Sequence, residues 1–146
     1  MRMDRKAQVA GSVKAGFPSP AEQYLEPPLD LNELLVKRPA ATFFVRVEGD
    51  SMVGAGIRDK DLLVVDRSFT PVDGDIVIAA VDGEFTVKTL RILGGGRHGA
   101  KNGVGARYVL EPANPNYPPI RIGDGSQLDC FGVVTSVIHR FKGENR

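Results

Sequence analysis

A chain of 146 residues with 42% hydrophobic side chains is long enough to bury one core and too apolar to be disordered throughout. Its net charge of +1 supplies no general basic field for nucleic acid, and its single cysteine, Cys130, excludes an intramolecular disulfide and fits a reducing compartment. No stretch approaches about 18 consecutive apolar residues and no apolar core follows the basic N-terminus, so neither a membrane span nor a secretory signal is expected, and the chain reads as soluble and cytoplasmic.

Residues 1–28 differ in composition from the rest. Within its first 15 residues Arg2, Arg5, Lys6 and Lys14 stand against Asp4 alone, and further on Pro18, Pro20, Pro27 and Pro28 forbid continuous helix or ladder pairing. This stretch reads as a flexible basic arm preceding a β-rich domain over residues 29–146. Asp30 to Lys37 predicts a short helix, with Asp30 as cap, Glu33 in the reciprocal position and Leu31, Leu34 and Leu35 as an apolar packing stripe, ended by Pro39.

From Thr42 onward the signals are all β. Strand-forming runs cover Thr42 to Val47, Leu62 to Asp66, Ile76 to Val81, Phe85 to Ile92, Arg107 to Leu110 and Phe131 to Phe141. Val81-Asp82-Gly83-Glu84 is a two-residue hairpin signal, and Thr70 to Gly74 is another turn. Short strands at this spacing predict a mostly β, compact antiparallel barrel-like fold. The last run is apolar on both faces, as suits an inner strand or a dimer interface.

Chemistry concentrates at Val47-Glu48-Gly49-Asp50-Ser51-Met52, where the first β run stops at a glycine and a serine opens the turn. A serine hydroxyl is a poor nucleophile until a base removes its proton. Lys88, in Glu84 to Leu90, has Phe85, Val87 and Leu90 around it, and burial among apolar groups lowers a lysine pKa enough to make its amine that base. Each residue also has a plain reading: Gly-Asp-Ser is an ordinary turn, and a strand lysine usually runs its head out to water. A spacing of 37 residues does not by itself bring the two together.

Gly54 and Gly56 predict a loop or one helical turn after the serine. The amides of Ser51 and Met52 are then candidate oxyanion donors, with a hydrophobic plug as the equal alternative for Met52. The glycine-rich stretch Leu93 to Lys101 lacks the Gly-Lys-Ser/Thr of a phosphate loop and reads as a hairpin tip, and Pro112 to Pro119 reads as an ordered loop. His98 and His139 have no orienting carboxylate nearby in sequence, so both read as structural or surface residues. Cys130, at the start of an apolar run, reads as a buried bystander. No cluster has metal-ligand spacing, and no cofactor is expected.

Gly49-Asp50-Ser51-Met52, Gly56-Ile57, Asp59 to Asp66, Asp73-Gly74-Asp75-Ile76-Val77 and Val87-Lys88 together resemble the LexA/UmuD group of self-cleaving serine peptidases, over roughly residues 12 to 142. The resemblance implies the same β fold, Ser51 as nucleophile and Lys88 as general base. It also marks Ala15-Gly16, within Ser12 to Pro20, as the bond to be cut. Small residues on both sides let a backbone approach a nucleophile closely. Repressors of this group carry a helix-turn-helix module ahead of the cleavage site, and the 15 residues up to that bond are too few for one, so the UmuD-like branch fits better.

That branch implies an SOS-mutagenesis protein. Its expected partners are a second copy in a homodimer, a RecA filament on single-stranded DNA as trigger, and a UmuC-type subunit of an error-prone translesion polymerase. Neither a membrane nor sequence-specific DNA binding is implied. The competing readings are a catalytically inert polymerase-binding module, a signal-peptidase relative and a phage-type repressor fragment.

Overall fold

The computed structural model describes residues 6–17, 26–94, 107–123 and 128–143. The chain forms two compact units, Met1–Lys37 and Arg38–Arg146.

In the first unit, β1 (Ala7–Val9) pairs antiparallel with β2 (Glu26–Leu29), setting Ala7 opposite Leu29 and Val9 opposite Glu26. This corrects the expectation that the prolines exclude ladder pairing. Pro27 and Pro28 fall between the two paired positions, where the register shifts, so the missing amides cost the ladder nothing. Helix α1 (Leu31–Leu35) starts as expected: the Asp30 carboxylate accepts from the amides of Asn32 and Glu33 at 3.0 and 3.3 Å. Its leucine stripe is not a packed one, since no α1 residue is buried.

The second unit is one seven-stranded sheet in the order β3-β4-β9-β5-β6-β7-β8, every neighbouring pair antiparallel. The strands are β3 (Thr42–Arg46), β4 (Leu62–Asp66), β5 (Ile76–Val81), β6 (Glu84–Leu93), β7 (Arg107–Glu111), β8 (Ile120–Ile122) and β9 (Asp129–Ile138). The fold is thus mostly β, as expected from the alternating runs. The β5–β6 hairpin turns at Asp82-Gly83, both at positive φ (50° and 83°), the backbone that a twisted two-residue turn needs.

Strand β9 is an inner strand between β4 and β5, one of the two readings of its run, and Val137 on it is exposed. It ends at Ile138, earlier than the run to Phe141 suggested, and Phe141 is exposed. Period-2 alternation splits β5 between two clusters. Ile78 joins Val47, Met52, Ile57, Leu63 and Val65, whereas Val77 and Ala79 join Leu90, Leu110 and Val133. Burying an aliphatic side chain of this size contributes about 1.5–3 kcal/mol, so these clusters anchor the strands that carry the site. Residues 95–106, including most of the glycine-rich stretch and His98, lie outside the described residues.

Candidate active site

The loop from β3 to β4 carries Ser51. It is closed at its base by two backbone bonds, the Val47 amide to the Asp61 carbonyl and the Lys60 amide to the Val47 carbonyl, each 2.8 Å. Gly49 sits at φ 96°, where a side chain would be strained, and its amide donates to Asp59 Oδ1 at 2.7 Å. After the serine a single 3-10 turn (Val53–Ala55) ends at Gly56 in the left-handed region. Met52 is 1% exposed and packs in the first core cluster, which makes it the plug considered from sequence.

A second segment holds the serine turn from outside. The Ala113 amide donates to the Ser51 carbonyl at 2.8 Å, and the Gly54 amide donates to the Ala113 carbonyl at 2.7 Å. Asn114 Nδ2 donates to the Asp50 carbonyl at 2.9 Å, and the Tyr117 hydroxyl donates to Asp50 Oδ1 at 2.6 Å. That bond to Asp50 pushes the phenol pKa up, because the neutral donor form is the one held. The Pro112 to Pro119 stretch is therefore an ordered loop, and its work is to fix the two residues at the turn. Sequence reasoning had no signal for the Asp50–Tyr117 pair, which is separated by 67 residues.

Lys88 lies on β6 opposite Val77. Its side chain is buried at 7% exposure, and Nζ stands 3.0 Å from Ser51 Oγ, 2.8 Å from Thr86 Oγ1 and 3.1 Å from the Val87 carbonyl. Burial pushes the Lys88 pKa below its usual value. The strand lysine does not run out to water, and the two residues singled out in sequence are brought together. They open on a cleft of about 370 Å³ whose walls include Asp50, Phe85 and Tyr117. Among the described residues no group accepts from the amides of Ser51 and Met52. Ala15 and Gly16 lie in the first unit, both exposed.

His139 does have a carboxylate partner, in space rather than in sequence. Its Nδ1 lies 2.5 Å from Asp61 Oδ1, and Asp61 is 2% exposed. Burial alone would raise the Asp61 pKa, but hydrogen bonds from the Arg58 amide and His139 outweigh it and hold the carboxyl below its ordinary range. Cys130 is half-buried against the second cluster, and burial raises its thiol pKa, the condition of an unreactive side chain. Among the described residues no group of His, Cys, Asp or Glu could hold a metal ion, and no helix is long and apolar enough to cross a membrane.

A serine hydroxyl 3.0 Å from a buried lysine amine is an arrangement in which a neutral amine can draw off the hydroxyl proton. A peptidase S24-like family model matches residues 8–135. The chain is 49% identical to Protein SamA of Salmonella typhimurium over 86% of this chain and 79% of that protein. It is 42% identical to Protein MucA of Escherichia coli over 84% and 77%, and 38% identical to the LexA repressor of Acidothermus cellulolyticus over 90% of this chain and 42% of the repressor. The chain belongs to the peptidase S24-like family of self-cleaving serine peptidases, on its UmuD-like branch.

Proposed function

We propose that this chain is an SOS-mutagenesis peptidase that cuts itself at Ala15-Gly16 with Ser51 as nucleophile and Lys88 as general base. The observation that carries the reading is the 3.0 Å approach of the buried Lys88 amine to the Ser51 hydroxyl. In its neutral form the amine takes the hydroxyl proton as Oγ attacks the Ala15 carbonyl carbon. The free amides of Ser51 and Met52 stabilise the oxyanion. Lys88 then passes the proton to the Gly16 nitrogen, which leaves as an amine, and Ser51 carries residues 1–15 as an ester. Water, deprotonated by the same lysine, releases that segment with a new carboxylate at Ala15 and restores the serine.

In this reading residues 1–28 supply the substrate arm and residues 29–146 the catalytic domain. Tethering gives the arm a high effective concentration, so modest chemistry suffices. The UmuD-like relationship supports a cytoplasmic homodimer, a RecA filament on single-stranded DNA as trigger, and delivery of the trimmed product to a UmuC-type translesion polymerase subunit. Mass spectrometry of the protein after incubation with activated RecA filament, or alone at alkaline pH, tests this. A new N-terminus at Gly16 is expected in the parent and absent in Ser51→Ala. An unshortened parent under both conditions would mean an inert polymerase-binding module instead.

A further inference from the structure

A second concavity lies where the end of β3, the loop before β4 and the end of β9 meet. It holds about 420 Å³, more than the serine–lysine cleft, and is within the size range of small-molecule sites. Leu62 and Ile138 give it an apolar floor, and its rim is cationic, from Arg46, Lys60, Arg140 and Lys142.

The acids at this place are already engaged. Asp61 holds the Arg58 amide and His139 Nδ1, and Asp59 accepts from the Gly49 amide. Among the described residues none of the four rim cations is in an ion pair. The four cations outnumber the two carboxylates of the same lining, Asp59 and Asp61, and an anion bound among them relieves their mutual repulsion. Two features hold donors at the rim. Arg46 Nη1 is fixed on the Lys60 carbonyl at 3.1 Å, and Lys60 is kept at φ 71°, an uncommon backbone for a residue with a side chain. Asp61 occupies Nδ1 of His139, which leaves Nε2 as the ring nitrogen open to a ligand.

A single carboxylate is satisfied by one guanidinium. A rim of four cations suits tetrahedral oxygens carrying two or more charges. We propose that this concavity binds phosphate, carried either by a free nucleoside polyphosphate or by a nucleic-acid backbone. The site does not depend on the peptidase reading: Arg140, Lys142 and His139 line it and not the cleft.

The test titrates full-length protein carrying Ser51→Ala, which stays a single species, with tripolyphosphate and separately with a thymidine oligonucleotide, by calorimetry and by backbone amide shifts. Saturable binding with shifts at residues 138–143 is expected, weakened about tenfold or more by Arg140→Glu with Lys142→Glu. Binding of both probes, with an oligonucleotide salt slope that falls by about 1.4 in the double variant, assigns the backbone source. Binding of tripolyphosphate alone assigns the free source. Should the double reversal unfold the chain, Lys142→Gln, on the exposed tail, gives the same reading at about threefold. Failure of both probes to saturate, or binding that these variants leave unchanged, overturns the proposal.

Discussion

Gly54→Ala is the substitution with the most local consequence for the chemistry. A Cβ at this position meets the Ala113 carbonyl oxygen at 2.6 Å, whereas ordinary contact begins at 3.4 Å, so the two segments must part by about 0.8 Å. They are joined there by the 2.7 Å Gly54–Ala113 bond, and Ala113 in turn donates to the Ser51 carbonyl. The displacement therefore passes into the turn that carries the hydroxyl. A misplacement near 1 Å costs about 10²-fold in rate. Overpacking costs about 1–3 kcal/mol, which a domain of ordinary stability survives. The assay is the rate of appearance of the fragment starting at Gly16 at alkaline pH, with the thermal midpoint measured in parallel. A folded variant that cleaves within about threefold of the parent would refute the idea that the Ala113 segment sets the position of Ser51.

Three further outcomes are expected. Tyr117→Phe, which removes the donor on Asp50 and leaves the ring, should slow cleavage by roughly tenfold or less while the melting temperature hardly moves; an unchanged rate would make Tyr117 a bystander. Lys88→Met should abolish cleavage and raise the neutral-pH melting temperature. Burial holds the folded Lys88 pKa below the unfolded value of 10.5, so the charge opposes folding increasingly as pH falls from there to the folded pKa, and fully below it; a lower melting point would show that the amine stabilises the fold. Stability should fall in acid. The Asp66 carboxyl is depressed chiefly by the Ser68 hydroxyl and the Asp61 carboxyl by its hydrogen bonds, and a depressed carboxylate stabilises above its unfolded pKa near 3.8 and loses that contribution as pH drops through the folded one. Ser68→Ala should move the acid unfolding midpoint to higher pH, read by circular dichroism.

Local pattern accounts for much of this sheet. The Leu62–Asp66 and Ile76–Val81 strands match their apolar runs end to end, because both are inner strands whose side chains must all be apolar or paired. Strand β8 was missed: Ile120-Arg121-Ile122 alternates, but three residues behind Pro118-Pro119 are too short a run to read as a strand, and they pair with β7. β1 and β2 were missed for a related reason, since proline content argues against pairing unless the register shift is known. At the site, residue types were legible but proximity was not. Only the family pattern joined Ser51 to Lys88, and nothing in the sequence joined Asp50 to Tyr117 or Asp61 to His139, 78 residues apart. Those pairs are made by strand order, which residue spacing does not encode.

The most direct measurement is the rate of self-cleavage from about pH 6 to about pH 10, for the parent and for Lys88→Ala. An uncharged amine acting as base makes the parent's rate climb with pH and level off once the lysine has lost its proton, below its ordinary value of 10.5, while the variant stays at background throughout. A parent rate that does not change across this range, or a variant that cuts as fast as the parent, would contradict the assignment of Lys88.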